Sequence, residues 1–250
     1  LGYDLRDVCV NGPKEKLDDT VYAQPALLLA GLAALEKLKA QDPSVVNACD
    51  ACAGLSLGEY VALVFAGVLS YEDAFKVVKV RAEGMSAAAA VGAHGMLSVV
   101  GLEDSVLEKI VAEAKTKAES SSSSTPIVCD ITNFLFPQGR VVSGDKAALD
   151  IVQQAAQAAG AIKVATLAVS GAFHTARMES ASQSLREALA QATFNKPRVS
   201  IYSNVTGLPI SRDTPADDIR DLLAKQLVSP VKWEQTLKNL LADGKNKLFE

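Results

Sequence analysis

Gly54-Leu55-Ser56-Leu57-Gly58 is the stretch whose reading decides the fold: apolar Val45-Val46 and small residues through Ala53 lead into it, and a helical pattern over 59–66 leaves it. The spacing predicts a strand, a tight turn and a helix, with one hydroxyl at the bend. Glycines on both flanks permit a sharp turn and a close backbone approach. They present Ser56 at a helix N-terminus, where the dipole and unpaired N–H groups favour developing negative charge. The same residues also spell a capping box, in which Ser56 with Glu59 merely closes the first helical turn. A nucleophile needs a base, and the chain offers two histidines, His94 and His174.

With 250 residues, 49% of them apolar and 22% charged, and a net charge of −4, the chain is an ordinary globular one that can bury a sizeable core. No run of about 18 apolar residues predicts a membrane span, and no basic stripe predicts a nucleic-acid partner. Cys9, Cys49, Cys52 and Cys129 are scattered. The Cys49-x-x-Cys52 pair falls in the expected strand before Ser56 without further ligands nearby, so buried thiols are expected rather than a metal, redox centre or cofactor. The chain opens inside a helix–loop pattern and closes on strand-like Lys247-Leu248-Phe249, which predicts a piece of a longer protein.

Outward from Ser56, residues 24–39 have helical apolar spacing, and Ser70 with Asp73 starts a helix through Phe75, Val78, Ala82 and Met85. This strand–helix alternation predicts an α/β fold with a parallel sheet covered by helices. After the alanines and glycines of 87–95 the order becomes strand (96–101), helix (103–118), strand (127–133), strand (139–143), helix (146–159) and strand (161–169). That β-α-β-β-α-β order is ferredoxin-like. Residues 93–169 are therefore expected to form a small α+β subdomain inserted in a discontinuous large domain of 1–92 and 170–250. Ser120 through Ser124 should be a mobile surface loop. The large domain resumes with a helix over 175–190, a strand over 199–204, a turn at Gly207-Leu208-Pro209 and helices over 216–227 and 231–242. The junctions at 92–95 and 169–171 border the expected cleft, a common place for ligand sites. His94 lies at the first and His174 just beyond the second.

Gln24-Pro25-Ala26-Leu27, Gly54-Leu55-Ser56-Leu57-Gly58-Glu59-Tyr60, Val80-Arg81-Ala82-Glu83-Gly84-Met85, Gly171-Ala172-Phe173-His174 and Pro230-Val231-Lys232-Trp233 follow one another along the chain. In this order they resemble the malonyl-CoA:acyl-carrier-protein transacylases, over essentially the whole chain and with the greatest likeness to the plastid type. The resemblance implies a parallel-sheet, hydrolase-like large domain, Ser56 as nucleophile and His174 as its base. It implies a backbone carbonyl near Gln226, or alternatively Asn204, to orient the imidazole. It further implies Arg81 as the binder of the malonyl carboxylate, Gln24 and Asn133 lining the acyl pocket, the Leu57 N–H as an oxyanion donor, and Phe173 as the bulky residue that accompanies malonyl preference. Outside the resemblance, Arg81 reads as a solvated cation, Gln24 as a helix-start residue and Phe173 as a core aromatic.

The implied reaction passes malonyl from malonyl-CoA to the phosphopantetheine thiol of acyl carrier protein through a malonyl-serine, for fatty acid synthesis, in a monomer without cofactor. The implied address is a plastid, or otherwise the cytoplasm. Lys76, Lys79, Arg81, Lys196 and Arg198 are the cations available for an acidic carrier. Two departures stand out: Leu55 replaces the histidine of many bacterial relatives, and the family's N-terminal strand with its Gly-Gln-Gly-Ser-Gln loop and its C-terminal Gly-Pro-Gly segment are absent. The alternatives are a serine thioesterase or hydrolase, which would use the same pair on water, and a catalytically silent carrier-binding module.

Overall fold

The computed structural model of the chain describes residues 1–121, 126–169 and 171–249. Four helices lead the chain: α1 (Leu5–Asn11), α2 (Lys14–Asp18), α3 (Thr20–Gln41) and α4 (Pro43–Ala48). Strand β1 (Ala51–Ala53) enters the Ser56 turn, followed by α5 (Gly58–Phe65) and α6 (Tyr71–Ala89). The inserted segment runs β2 (His94–Val100), α7 (Asp104–Ser121), β3 (Cys129–Phe136), β4 (Gly139–Asp145), α8 (Lys146–Ala158) and β5 (Lys163–Thr166). A 3₁₀ turn (Ala176–Met178), α9 (Glu179–Gln191), β6 (Ser200–Tyr202), β7 (Pro209–Ile210), α10 (Ala216–Gln226) and α11 (Trp233–Ala242) complete it.

The chain is α/β, as its alternation predicts. Its first sheet has the order β1-β6-β7, with β1 and β6 parallel and the short β7 added antiparallel. The second has the order β3-β4-β2-β5, antiparallel throughout, which is the ferredoxin-like arrangement of a β-α-β-β-α-β segment. Each sheet has its own apolar cluster. One gathers Leu28, Leu63, Val78, Leu185, Ile201 and Leu223, and the other Leu97, Leu107, Val142, Leu149 and Val152.

Several local expectations fail for identifiable reasons. Val45 and Val46 are helical: Asp42 accepts a hydrogen bond from the Val45 N–H at 3.2 Å and Pro43 opens the first turn, a cap and helix-start pair that outweighs β-branching. The strand before Ser56 is therefore only Ala51–Ala53, and Cys49 lies at the end of α4 rather than in it. Ser120 and Ser121 end α7 instead of forming a loop, and Ser122 through Ser124 lie outside the described residues. Lys247-Leu248-Phe249 is not a strand. Among the described residues α3 is the one helix long and apolar enough by length and composition to cross a membrane. In the fold its Leu28 and Leu32 are buried in the large cluster.

Helix α6 packs between α3 and α9, with Ser70 capping it through a 3.0 Å bond from the Asp73 N–H. That placement aims Arg81 inward beneath the Ser56 turn. The turn itself is tight: a Cβ added at Gly54 would lie 2.0 Å from the Gly58 carbonyl carbon and oxygen. Backbone cannot yield as a side-chain tip can. Gly54→Ala is expected to cost at least about 3 kcal/mol, read as a fall in the midpoint of chemical denaturation; an unchanged midpoint would contradict the tight-turn account.

Candidate active site

Parallel pairing of β1 with β6 sets Ala53 beside Tyr202, so the chain leaving β6 runs past the Ser56 turn. Asn204 clamps that turn from both sides. Its Oδ1 accepts the Ser56 N–H at 2.6 Å and its Nδ2 donates to the Gly54 carbonyl at 2.8 Å. Ser56 is held at φ 50°, a left-handed conformation that costs a non-glycine residue energy and here lifts the hydroxyl off the helix start. The capping box is not formed. Leu57 is the N-cap and makes no side-chain cap bond, while the Glu59 carboxylate faces away to Asn204 and Gln226.

His174 is likewise left-handed, at φ 63°, and its Nε2 lies 3.0 Å from Ser56 Oγ. Its Nδ1 is 2.7 Å from the Gln226 carbonyl at the end of α10. A carbonyl only accepts, so Nδ1 carries the hydrogen and Nε2 is free to accept from the Ser56 hydroxyl. The alternative orienter is not used: the single Nδ1 hydrogen goes to the Gln226 carbonyl, and the Asn204 carbonyl accepts from the Lys232 N–H at 2.9 Å. The second histidine is elsewhere: His94 Nε2 sits 3.2 Å from Asp145.

Burial holds the His174 imidazole down to about 4; its bond to Gln226 opposes the shift and the Arg81 charge reinforces it. The ring should therefore remain neutral at about pH 6, where an ordinary histidine of pKa about 6.5 is largely protonated. Since the fold binds this proton more weakly than the unfolded chain does, the stability contribution is complete above about 6.5 and lost as pH falls toward about 4. An NMR titration of the imidazole checks this, and a midpoint at or above about 6.5 would contradict the burial assigned here.

Arg81 is not the solvated cation its amphipathic helix suggests, nor available to a surface patch, being only 1% exposed. Its Nη1 donates to Gln24 Oε1, and its Nη2 donates to Ser56 Oγ at 2.9 Å and to Gln226 Oε1 at 2.9 Å. The guanidinium carbon stands 5.5 Å over the Tyr60 ring. Arg81 Nε has no partner, and among the described residues the guanidinium forms no ion pair. Gln24 is buried and also donates from Nε2 to Thr20 Oγ1 at 3.0 Å and to Met85 Sδ at 3.3 Å.

Leu57 has a buried side chain, and its backbone N–H, next to the Ser56 hydroxyl, is paired with nothing among the described residues. Phe173 packs against the large apolar cluster, its ring so close over Gly171 that a Cβ there would lie 2.2 Å from it. Asn133 stands apart from the hydrogen-bonded group: its Oδ1 accepts from Thr132 Oγ1 at 3.2 Å and its backbone bridges to Val231. The resemblance implies the Gln226 backbone carbonyl but not its side chain, and Glu59 reads in the sequence only as a capping residue. Burial was the missing signal for both.

The acyl transferase domain family matches residues 1–250. The human "Malonyl-CoA-acyl carrier protein transacylase, mitochondrial" is 44% identical over 249 residues, an alignment covering 100% of this chain and 63% of the human one. The Escherichia coli K12 "Malonyl CoA-acyl carrier protein transacylase" is 38% identical over 250 residues, covering 100% of this chain and 76% of its own. A solved complex described as a type II PKS acyl-carrier protein with its malonyl-transacylase superposes with a TM-score of 0.87 at 32% identity, over 97% of this chain and 74% of that one. The chain thus spans less than two thirds of the length of the human relative.

Proposed function

The chain belongs to the acyl transferase domain family, and from that premise we propose that it carries the acyl-transfer centre of a malonyl-CoA:acyl-carrier-protein transacylase. One observation carries the choice: a buried guanidinium without an ion-pair partner hydrogen-bonds the hydroxyl that His174 is placed to deprotonate. A buried unpaired charge is costly, so the site suits a substrate that brings a carboxylate with it. A thioesterase acting on neutral acyl chains has no use for that cation, and a silent carrier-binding module has none for a 3.0 Å Ser56–His174 contact.

In the proposed cycle Ser56 Oγ attacks the thioester carbon of malonyl-CoA while His174 Nε2 takes the hydroxyl proton. The carbonyl oxygen, now negative, lies toward the Leu57 N–H. The C–S bond then breaks, and His174 returns the proton to the departing coenzyme A sulfur. The phosphopantetheine thiol of the carrier protein repeats these steps in reverse, giving its proton to His174 and displacing Ser56. Arg81 and Gln24 hold the malonyl carboxylate between the two halves, and Phe173 disfavours a branched acyl group, a preference worth only about 1–3 kcal/mol.

Residues 1–92 with 170–250 act as the large unit and 93–169 as the inserted one, the separate apolar clusters being the support for that division. The protein works as a monomer without nucleic-acid or membrane partners. Lys196 and Arg198, with Lys76 and Lys79 paired on α6 to Glu72 and Glu83, are the cations toward which an acidic carrier would dock. The human relative is named mitochondrial and the Escherichia coli relative is named without an organelle, so the plastid address has no support from either.

Labelled malonyl-CoA incubated with and without a phosphopantetheinylated carrier protein tests the reading. Carrier-bound label with little free malonate is the expected result. Coenzyme A release at the same rate without carrier would establish a hydrolase instead.

A further inference from the structure

Glu59 is buried at 1% exposure on the first turn of α5, three residues after Ser56, and has no ion-pair partner among the described residues. Its Oε1 accepts the Asn204 N–H at 3.3 Å, and its Oε2 accepts from Gln226 Nε2 at 2.5 Å. Each of those partners holds part of the reacting group. Asn204 clamps the Ser56 turn through Oδ1 and Nδ2. Gln226 orients His174 through its carbonyl, ties the Ser56 carbonyl through Nε2 at 3.0 Å, and accepts Arg81 through Oε1.

A carboxamide can be turned over at little steric cost, and only its partners decide which end carries the oxygen. If the Gln226 amide were reversed, its NH₂ would face the Arg81 guanidinium, donor against donor. The Arg81 bond and, more weakly, the Ser56 carbonyl already oppose that reversal. The acceptor-only Glu59 carboxylate opposes it strongly, because a charge-assisted bond is about twice as strong as a neutral one.

We propose that Glu59 is a positioning residue for acyl selectivity: by fixing the Gln226 carboxamide it keeps Arg81 aimed at the substrate carboxylate. Burial pushes the Glu59 carboxyl up to about 7, with the bonds from Gln226 and Asn204 and the Arg81 charge drawing it back. The positioning can therefore be weakened by a proton near neutrality.

The inference rests on the transacylase reading, and the test separates the two. Ser56 acylation rates are measured by quenched intact mass with malonyl-CoA and with acetyl-CoA, which has no free carboxylate. In Glu59→Gln the new NH₂ must face one of two donors, and the malonyl rate is expected to fall about 10- to 100-fold while the acetyl rate falls less than about threefold. Equal losses for both acyl groups, or an unchanged ratio, would reduce Glu59 to a structural residue and overturn the proposal. No malonyl adduct on the wild type would overturn the transacylase reading first, and this inference with it.

If Glu59→Gln does not fold, the wild type carries the same test, because its malonyl-to-acetyl ratio should fall as pH is lowered from about 8 to about 6. The titratable groups around Glu59 are Arg81 of α6, Tyr60 of α5, Cys52 of β1 and, beyond Gln226, His174. Burial raises Tyr60, takes Cys52 to about 12 and His174 to about 4, and lowers Arg81, but a guanidinium keeps its proton in proteins, so none of the four changes charge in that window. A ratio flat across it would sink the proposal.

Discussion

Ser56→Ala is expected to lower malonyl transfer by about 10⁴–10⁶-fold, with His174→Ala costing a comparable amount and the double variant little more. The non-additivity follows from geometry. The 3.0 Å bond from Ser56 Oγ to His174 Nε2 joins two groups that act as one device: an alcohol without a base is a poor nucleophile, and a base without the alcohol has no proton to take. What survives is binding and the oxyanion donor, which lie outside the pair. Stopped-assay measurement of label on the carrier protein gives the rates. A His174→Ala loss below about tenfold, or losses that multiply in the double variant, would show that Ser56 is activated by something other than His174.

The second large effect belongs to Arg81. Arg81→Ala is expected to reduce malonyl transfer about 10²–10³-fold, as loss of a buried charge-assisted contact costs roughly 3–5 kcal/mol, partly offset by entry of water. Acetyl transfer should change less than about tenfold, since acetyl offers the guanidinium nothing to pair with. Arg81→Lys should not restore the malonyl rate. An ammonium is a point charge without the planar fork, and it cannot reach Gln24, Gln226 and a carboxylate together. Parallel loss of malonyl and acetyl transfer would assign Arg81 to holding Ser56 rather than to recognising the acyl group.

The parts of this site that were legible in the sequence are those dictated by backbone geometry. Two close glycines around Ser56 and a lone serine at a strand–helix turn state a conformational demand that few other arrangements meet, and Gly54 indeed abuts the Gly58 backbone. The β-α-β-β-α-β order was legible too, because its strands and helices alternate with clear apolar periods. Val45-Val46 misled because a local cap, Asp42 with Pro43, beat intrinsic strand preference over six residues. Burial was the harder quantity. Arg81 and Glu59 sit on helices whose patterns read as amphipathic, and nothing in one chain's spacing says that a charged side chain points inward toward Gln226 rather than outward to water. Gln226 shows the same limit. Its carbonyl came with the resemblance, whereas its carboxamide, which joins Arg81, Ser56 and Glu59, is visible only once α10 is brought against α5 and α6.

The central claim is that Ser56 carries the malonyl group between donor and carrier. Incubating the protein with malonyl-CoA, quenching in acid and measuring intact mass with peptide mapping tests it most directly. The account predicts a gain of one malonyl group on the peptide holding Ser56, absent from Ser56→Ala and discharged on addition of phosphopantetheinylated carrier protein. An unmodified Ser56 alongside released coenzyme A, or malonyl on any other residue, would contradict it.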